Sequence, residues 1–145
     1  MKKIFFVSVL AALSLQAFAE DSLSTTDALT KVVAPRSYVG VNPDTNEACS
    51  VSIRRSGDSV TISGVQGRVR ATVTITDEDS YHWQPGQRLF RAGVRSEDRF
   101  GDVTDGSFMT RMTDVRSQFM AVETRVFHQN SRQETNNVVA CEVSI

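Results

Sequence analysis

Ala48-Cys49-Ser50-Val51-Ser52-Ile53 and Ala140-Cys141-Glu142-Val143-Ser144-Ile145 are near-duplicates that differ only at their third position, and each holds one of the chain's two cysteines. Apolar and polar residues alternate in both. Cys49, Val51 and Ile53 therefore share one face of a strand, and Cys141, Val143 and Ile145 share one face of another. The reading is two strands of one sheet system, tied by a disulfide on the buried side. The chain between them is the loop which that bond closes.

The bond depends on the compartment, and the first residues bear on that. Lys2 and Lys3, the apolar run from Ile4 to Leu15, and the small-x-small site Ala17-Phe18-Ala19 predict a signal peptide over residues 1–19. The run is shorter than the roughly 20 apolar residues a span needs, and no later stretch is long enough, so no membrane span is expected. No cysteine stands at the cleavage point, which argues against a lipid anchor. The expectation is an exported protein, periplasmic or secreted. In an oxidising compartment, two cysteines at matching apolar positions are most simply one disulfide. Its loop of about 92 residues would add roughly 4 to 5 kcal/mol in the chain-entropy model. The alternatives are free thiols or a two-cysteine metal site. With only His82 and His128 to complete such a site, no metal and no cofactor are expected.

After cleavage about 126 residues remain, enough for one domain with one core. The expected divisions are the signal peptide, an N-terminal lead over 20–35, and a β-domain over 36–145. The formal charge of −1 becomes about −3 without Lys2 and Lys3. That is no strong field, so polyanion binding is not implied and no nucleic-acid partner is expected. Lys31 is the one lysine left beside thirteen arginines. Arginine holds carboxylates in a planar fork, although lineage bias and solvated strand faces explain the imbalance as well.

Asp27 to Ala34 reads as a short helix with Thr26 as N-cap and Pro35 after its end. It would plug the end of a barrel, or else belong to an unstructured lead. From Arg36 onward the pattern is β. Strands are expected at Ser37–Val41, Cys49–Arg55, Ser59–Ser63, Arg68–Thr76, Gln87–Val94, Ser107–Thr113, Gln118–Gln129 and Val138–Ile145. Turn clusters separate them, among them Ser56-Gly57-Asp58, Asp77 to Ser80 and Gln84-Pro85-Gly86. Arg95 to Asp105 and Asn130 to Asn137 read as polar turn regions. The inward face of 118–129 stays open, because Phe119, Ala121 and Phe127 compete with Met120, Val122 and Val126. The fold class is all-β: a single antiparallel meander of about eight strands, forming a small β-barrel or, as the alternative, a two-sheet β-sandwich. An outer-membrane barrel fits less well, since aromatic girdles are absent.

Three constellations carry the functional reading. Tyr81-His82-Trp83 before a Pro-Gly turn is a contact platform, or a core anchor with its neighbour. Arg54, Arg68 and Arg70 beside Thr72 and Thr74 would receive a carboxylate-bearing ligand or an acidic protein surface, or form the wet face of a sheet. Asn42 to Glu47 and Asp98 to Gly106 are oxygen-rich loops, but neither has calcium-loop spacing. No nucleophile elbow or phosphate-cradling loop is present. The expected function is that of an exported non-catalytic binding protein, met by an unknown small molecule or an exported protein. The alternatives are an inhibitor of an exported hydrolase, and a hydrolase using His82 or His128.

Overall fold

The computed structural model describes residues 23–145, so the expected signal peptide and the first residues of the lead lie outside it. Glycine sets the first hairpins. Gly57 and Gly67 adopt positive φ, 60° and 56°, which reverses the chain in two residues. These turns join β2 (Ala48–Ser56), β3 (Ser59–Gln66) and β4 (Val69–Thr76), with β1 (Ser37–Val41) paired to the outside of β2. A second series runs through β5 (Tyr81–Gln84), β6 (Leu89–Glu97), β7 (Val103–Met112), β8 (Ser117–His128) and β9 (Gln133–Ser144). Among the described residues these nine strands form one sheet, curled into a half-barrel, in the order β4-β3-β2-β1-β9-β8-β7-β6-β5.

Strand parity explains why the barrel stays open. Every neighbouring pair is antiparallel. Direction therefore alternates along the order, and β4 and β5, first and last in it, run in the same sense. Pairing two parallel strands takes a crossover of roughly a dozen residues. Only the short stretch after Thr76 and before Tyr81 is available. The chain therefore turns a corner there instead of a hairpin, with the Thr76 N–H donating to Asp79 Oδ2 at 2.7 Å.

The other junction is where the disulfide lies. β1 meets β9 at only Gly40–Val143 and Val41–Glu142. Cys49 on β2 and Cys141 on β9 flank β1, yet their Cα atoms are 5.8 Å apart. Two strand spacings in a flat sheet would put them about 10 Å apart. The sheet is folded sharply along β1, and β1 to β4 pack over β6 to β9. Gly40 sits at the crease, where a Cβ would run into the Glu142 carbonyl.

The two layers meet directly. Val51, Ile53, Ile62, Val73 and Ile75 pack with Phe90, Phe108, Met120, Val122 and Val139, all fully buried. At Gly64 a Cβ would lie 2.8 Å from the Val139 Cβ, and at Gly106 3.1 Å from a Val73 methyl. Glycine at those points lets the backbone of one layer touch the side chains of the other.

α1 (Thr25–Val32) closes the end of the half-barrel at the β4–β5 corner. Its cap is Ser24, whose Oγ accepts the Asp27 N–H at 3.2 Å. Thr26, expected at the cap, is instead inside the helix and buried, because the corner offers it a partner. Its N–H and its hydroxyl both donate to Asp77 Oδ1, at 3.1 and 2.6 Å. Ala28 and Leu29 face the core, and Arg55 reaches up from β2 to Asp27 at 2.6 Å.

Several boundaries differ from those expected. Tyr81–Gln84 is a ninth strand. β6 continues to Glu97 and β7 starts at Val103, inside the stretch expected as turn. β9 begins at Gln133, since Arg125–Glu134 at 2.9 Å and the β8 ladder extend the hairpin through polar residues. On β8, Met120 and Val122 point inward, while Phe119, Ala121 and Phe127 lie on the outer face.

Candidate functional site

The outer face of β1 to β4 is built by alternation. With Val, Ile and Cys turned inward, the intervening Ser, Thr and Arg residues turn outward. Register aligns them in rows across the strands. Ser37, Ser52, Ser63 and Thr72 stand side by side over four strands. Arg54, Thr61 and Thr74 form the row on one side, and Val39, Ser50, Val65 and Arg70 the row on the other. The Thr61 and Thr74 hydroxyls are 3.2 Å apart, as are those of Ser63 and Thr72. No Asp or Glu occurs in any of the four strands. Among the described residues, neither Arg54 nor Arg70 forms an ion pair.

This geometry alters the expected arginine cluster. Arg54 and Arg70 share the outer face but are separated by about 13 Å along the strands and about 10 Å across them. Arg68 stands in the Gly67–Arg68 turn, not in the strand. The three do not converge on one small carboxylate. They flank a field of hydroxyls.

Tyr81, His82 and Trp83 are likewise divided. Tyr81 stacks on Phe90, with ring centres 5.6 Å apart, and its hydroxyl donates to the Leu23 carbonyl at 3.3 Å. Trp83 lies on the same side of β5 and is 39% exposed, whereas His82 points to the opposite side, beside Arg91. Tyr81 is a packing residue, and only Trp83 and His82 are open to contact.

A second constellation was not visible along the chain. Asp102 from the β6–β7 loop, His128 at the end of β8 and Thr135 on β9 form a line: Asp102 Oδ2 to His128 Nδ1 at 3.0 Å, and His128 Nε2 to Thr135 Oγ1 at 3.3 Å. The other Asp102 oxygen accepts the Gln129 N–H at 3.1 Å. The hydrogen bond from His128, with that from Gln129 behind it, holds the Asp102 carboxyl below its ordinary pKa. The order acid, imidazole, hydroxyl is that of a nucleophile with its base and orienter. It also clasps the ends of three strands. The His128 side chain is 41% exposed, so water reaches the line freely.

The oxygen-rich loops are turns. Asn42 Oδ1 accepts the N–H groups of Asp44 and Thr45, and Asp98 Oδ1 those of Phe100 and Asp102. Among the described residues no group of three or more His, Cys, Asp or Glu is placed to hold a metal ion. No helix there is long and apolar enough to cross a membrane.

No family model, no curated protein and no solved structure matches the chain.

Proposed function

We propose that the chain is an exported, disulfide-closed binding protein, periplasmic or secreted, that performs no chemistry and recognises its ligand on the outside of the half-barrel. The observation behind this is the contact between layers at Gly64 and Gly106, where an added methyl group would press on a valine of the opposite layer. A ligand held inside the barrel would need that space. The exposed surfaces, by contrast, offer Trp83 on the edge strand β5 and, on the outer face of β1 to β4, the hydroxyl and arginine rows.

The test presents the oxidised mature chain, immobilised, to periplasmic and culture extract, and identifies retained proteins and glycans by mass spectrometry. Retention is expected to fall with substitutions of exposed side chains, Trp83→Ala or Arg54→Gln with Arg70→Gln, and to survive the buried change Ile62→Val. Retention that follows Ile62→Val and ignores the exposed set overturns the reading.

The line Asp102–His128–Thr135 supports a second reading, a hydrolase. Thr135 Oγ would attack an ester carbonyl as His128 takes its proton, with Asp102 stabilising the imidazolium. Binding stands ahead of it because the line lies open to water, where charge stabilisation is weak. Turnover of p-nitrophenyl acetate by the native chain, lost in Thr135→Ala and His128→Gln, would put the hydrolase first. Turnover no faster than buffer ends it.

A further inference from the structure

Net charge conceals an asymmetry between the two halves of the sheet. On the outer face of β6 to β9, arginines stand among acids, and Arg95 pairs with Asp105 and Arg125 with Glu123 and Glu134, while among the described residues Arg91 and Arg111 form no ion pair. The face of β1 to β4 has arginines without acids, and they border rows of hydroxyls aligned by register. Arg68 adds a further cation in the turn beside Arg70.

We propose that this face binds an acidic polysaccharide. The inference rests on the binding reading above and names its ligand. Guanidinium groups grip carboxylates in a planar fork. Serine and threonine hydroxyls both donate and accept, as sugar hydroxyls do. An extended acidic glycan satisfies both features together. Its acid groups meet Arg54 and Arg70 at the borders, and its hydroxyls meet the row Ser52–Ser63–Thr72 between them. A folded protein partner fits this face less well, because protein interfaces are anchored by buried aromatic residues. The strands of this face have no outward Phe, Tyr or Trp. Their outward apolar residues are scattered, with Val39 the most exposed at 76%.

The test uses the oxidised mature chain in affinity electrophoresis and calorimetry against three probes: polygalacturonate, neutral dextran and polyglutamate. Polygalacturonate is expected to bind, with affinity falling as salt rises, and dextran to fail. Arg54→Gln with Arg70→Gln should lower affinity for polygalacturonate about tenfold or more, since hydrogen bonds to a charged group are lost. Ser63→Ala with Thr72→Val should weaken polygalacturonate binding and leave the salt dependence unchanged. The substituted side chains point outward, and circular dichroism and non-reducing gel mobility check that each variant is folded. Absence of polygalacturonate binding, or binding indifferent to the arginine pair, overturns the proposal. Polyglutamate bound as tightly as polygalacturonate overturns it too, because charge alone then suffices. A ligand from the extract whose retention depends on Trp83 and not on Arg54 and Arg70 ends this assignment while the general binding reading stands.

Discussion

Thr26 gives both its N–H and its hydroxyl to a single oxygen of Asp77, fifty-one residues away, and so fastens α1 to the corner between β4 and β5. This is the seam that strand parity leaves unpaired. The helix is eight residues long, too short to persist in water by itself, so its presence depends on this attachment and on Leu29 in the core. Thr26→Val keeps the shape and removes the hydroxyl. Trypsin should then cleave after Lys31 sooner, and the thermal midpoint should fall. Unchanged cleavage would mean that packing alone holds the helix.

Gly40 is the least replaceable residue of the crease. An added methyl meets the Glu142 carbonyl, which is backbone and has no alternative rotamer. Gly40→Ala should cost about 1 to 3 kcal/mol, the range for an overpacked core, or prevent β1 from joining β9. Urea unfolding of the oxidised chain measures it. Gly86, with open space around its Cβ position, is the control, and its alanine variant should unfold like the parent.

Reduction of Cys49–Cys141 releases a loop that spans most of the β-domain. The expected loss is roughly 4 to 5 kcal/mol, read as the difference in urea unfolding with and without reductant. Alkylation of the native chain without reductant should add no mass. Two labelled thiols would remove the cross-link from the account.

Acid should loosen the molecule at three points. Asp27 is held below its ordinary 3.8 by its hydrogen bond from Arg55, Asp77 by those from Thr26, and Asp102 by that from His128. A carboxyl with a depressed folded pKa contributes stability that is fully present above its unfolded value and is lost as pH falls through the folded one. The acid limb of the stability curve should therefore begin near 3.8 and continue below it. Asp77→Asn and Asp102→Asn should each flatten that limb, with lower stability at neutral pH. Variants that retain the parent's acid limb would show that other groups set it.

Much of the fold could be read from local pattern. Period-two alternation places Val51, Ile53, Val60, Ile62, Val73 and Ile75 inward without reference to the rest of the chain, because a strand's faces are set by its backbone. Ser56-Gly57-Asp58 marks its hairpin because positive φ suits glycine. Elsewhere distant partners decide. β9 begins in polar residues that composition assigns to a turn, since the β8 ladder holds them. Arg68 falls out of its strand because β3 runs on to Gln66, paired along β2 and β4, and the two-residue turn is therefore Gly67–Arg68. Thr26 is drawn inside the helix by Asp77. The choice of inward face on β8 needed the opposite layer, where Met120 and Val122 meet the first four strands.

Local sequence alone determined a nearly all-β body and two matching strands, and pointed to a bond between Cys49 and Cys141, because each depends on neighbours within a few residues or on two cysteines at equivalent apolar positions. Tertiary structure alone decided the crease at Gly40, the open seam between β4 and β5, and the company that Asp102, His128 and Thr135 keep. It also aligned Arg54, Arg70 and the hydroxyl rows on one face whose strands have no acid, which a near-neutral net charge hides. Those features arise from strand order and register, and order is fixed by which edges meet when the sheet curls, a property that no single stretch of the chain contains.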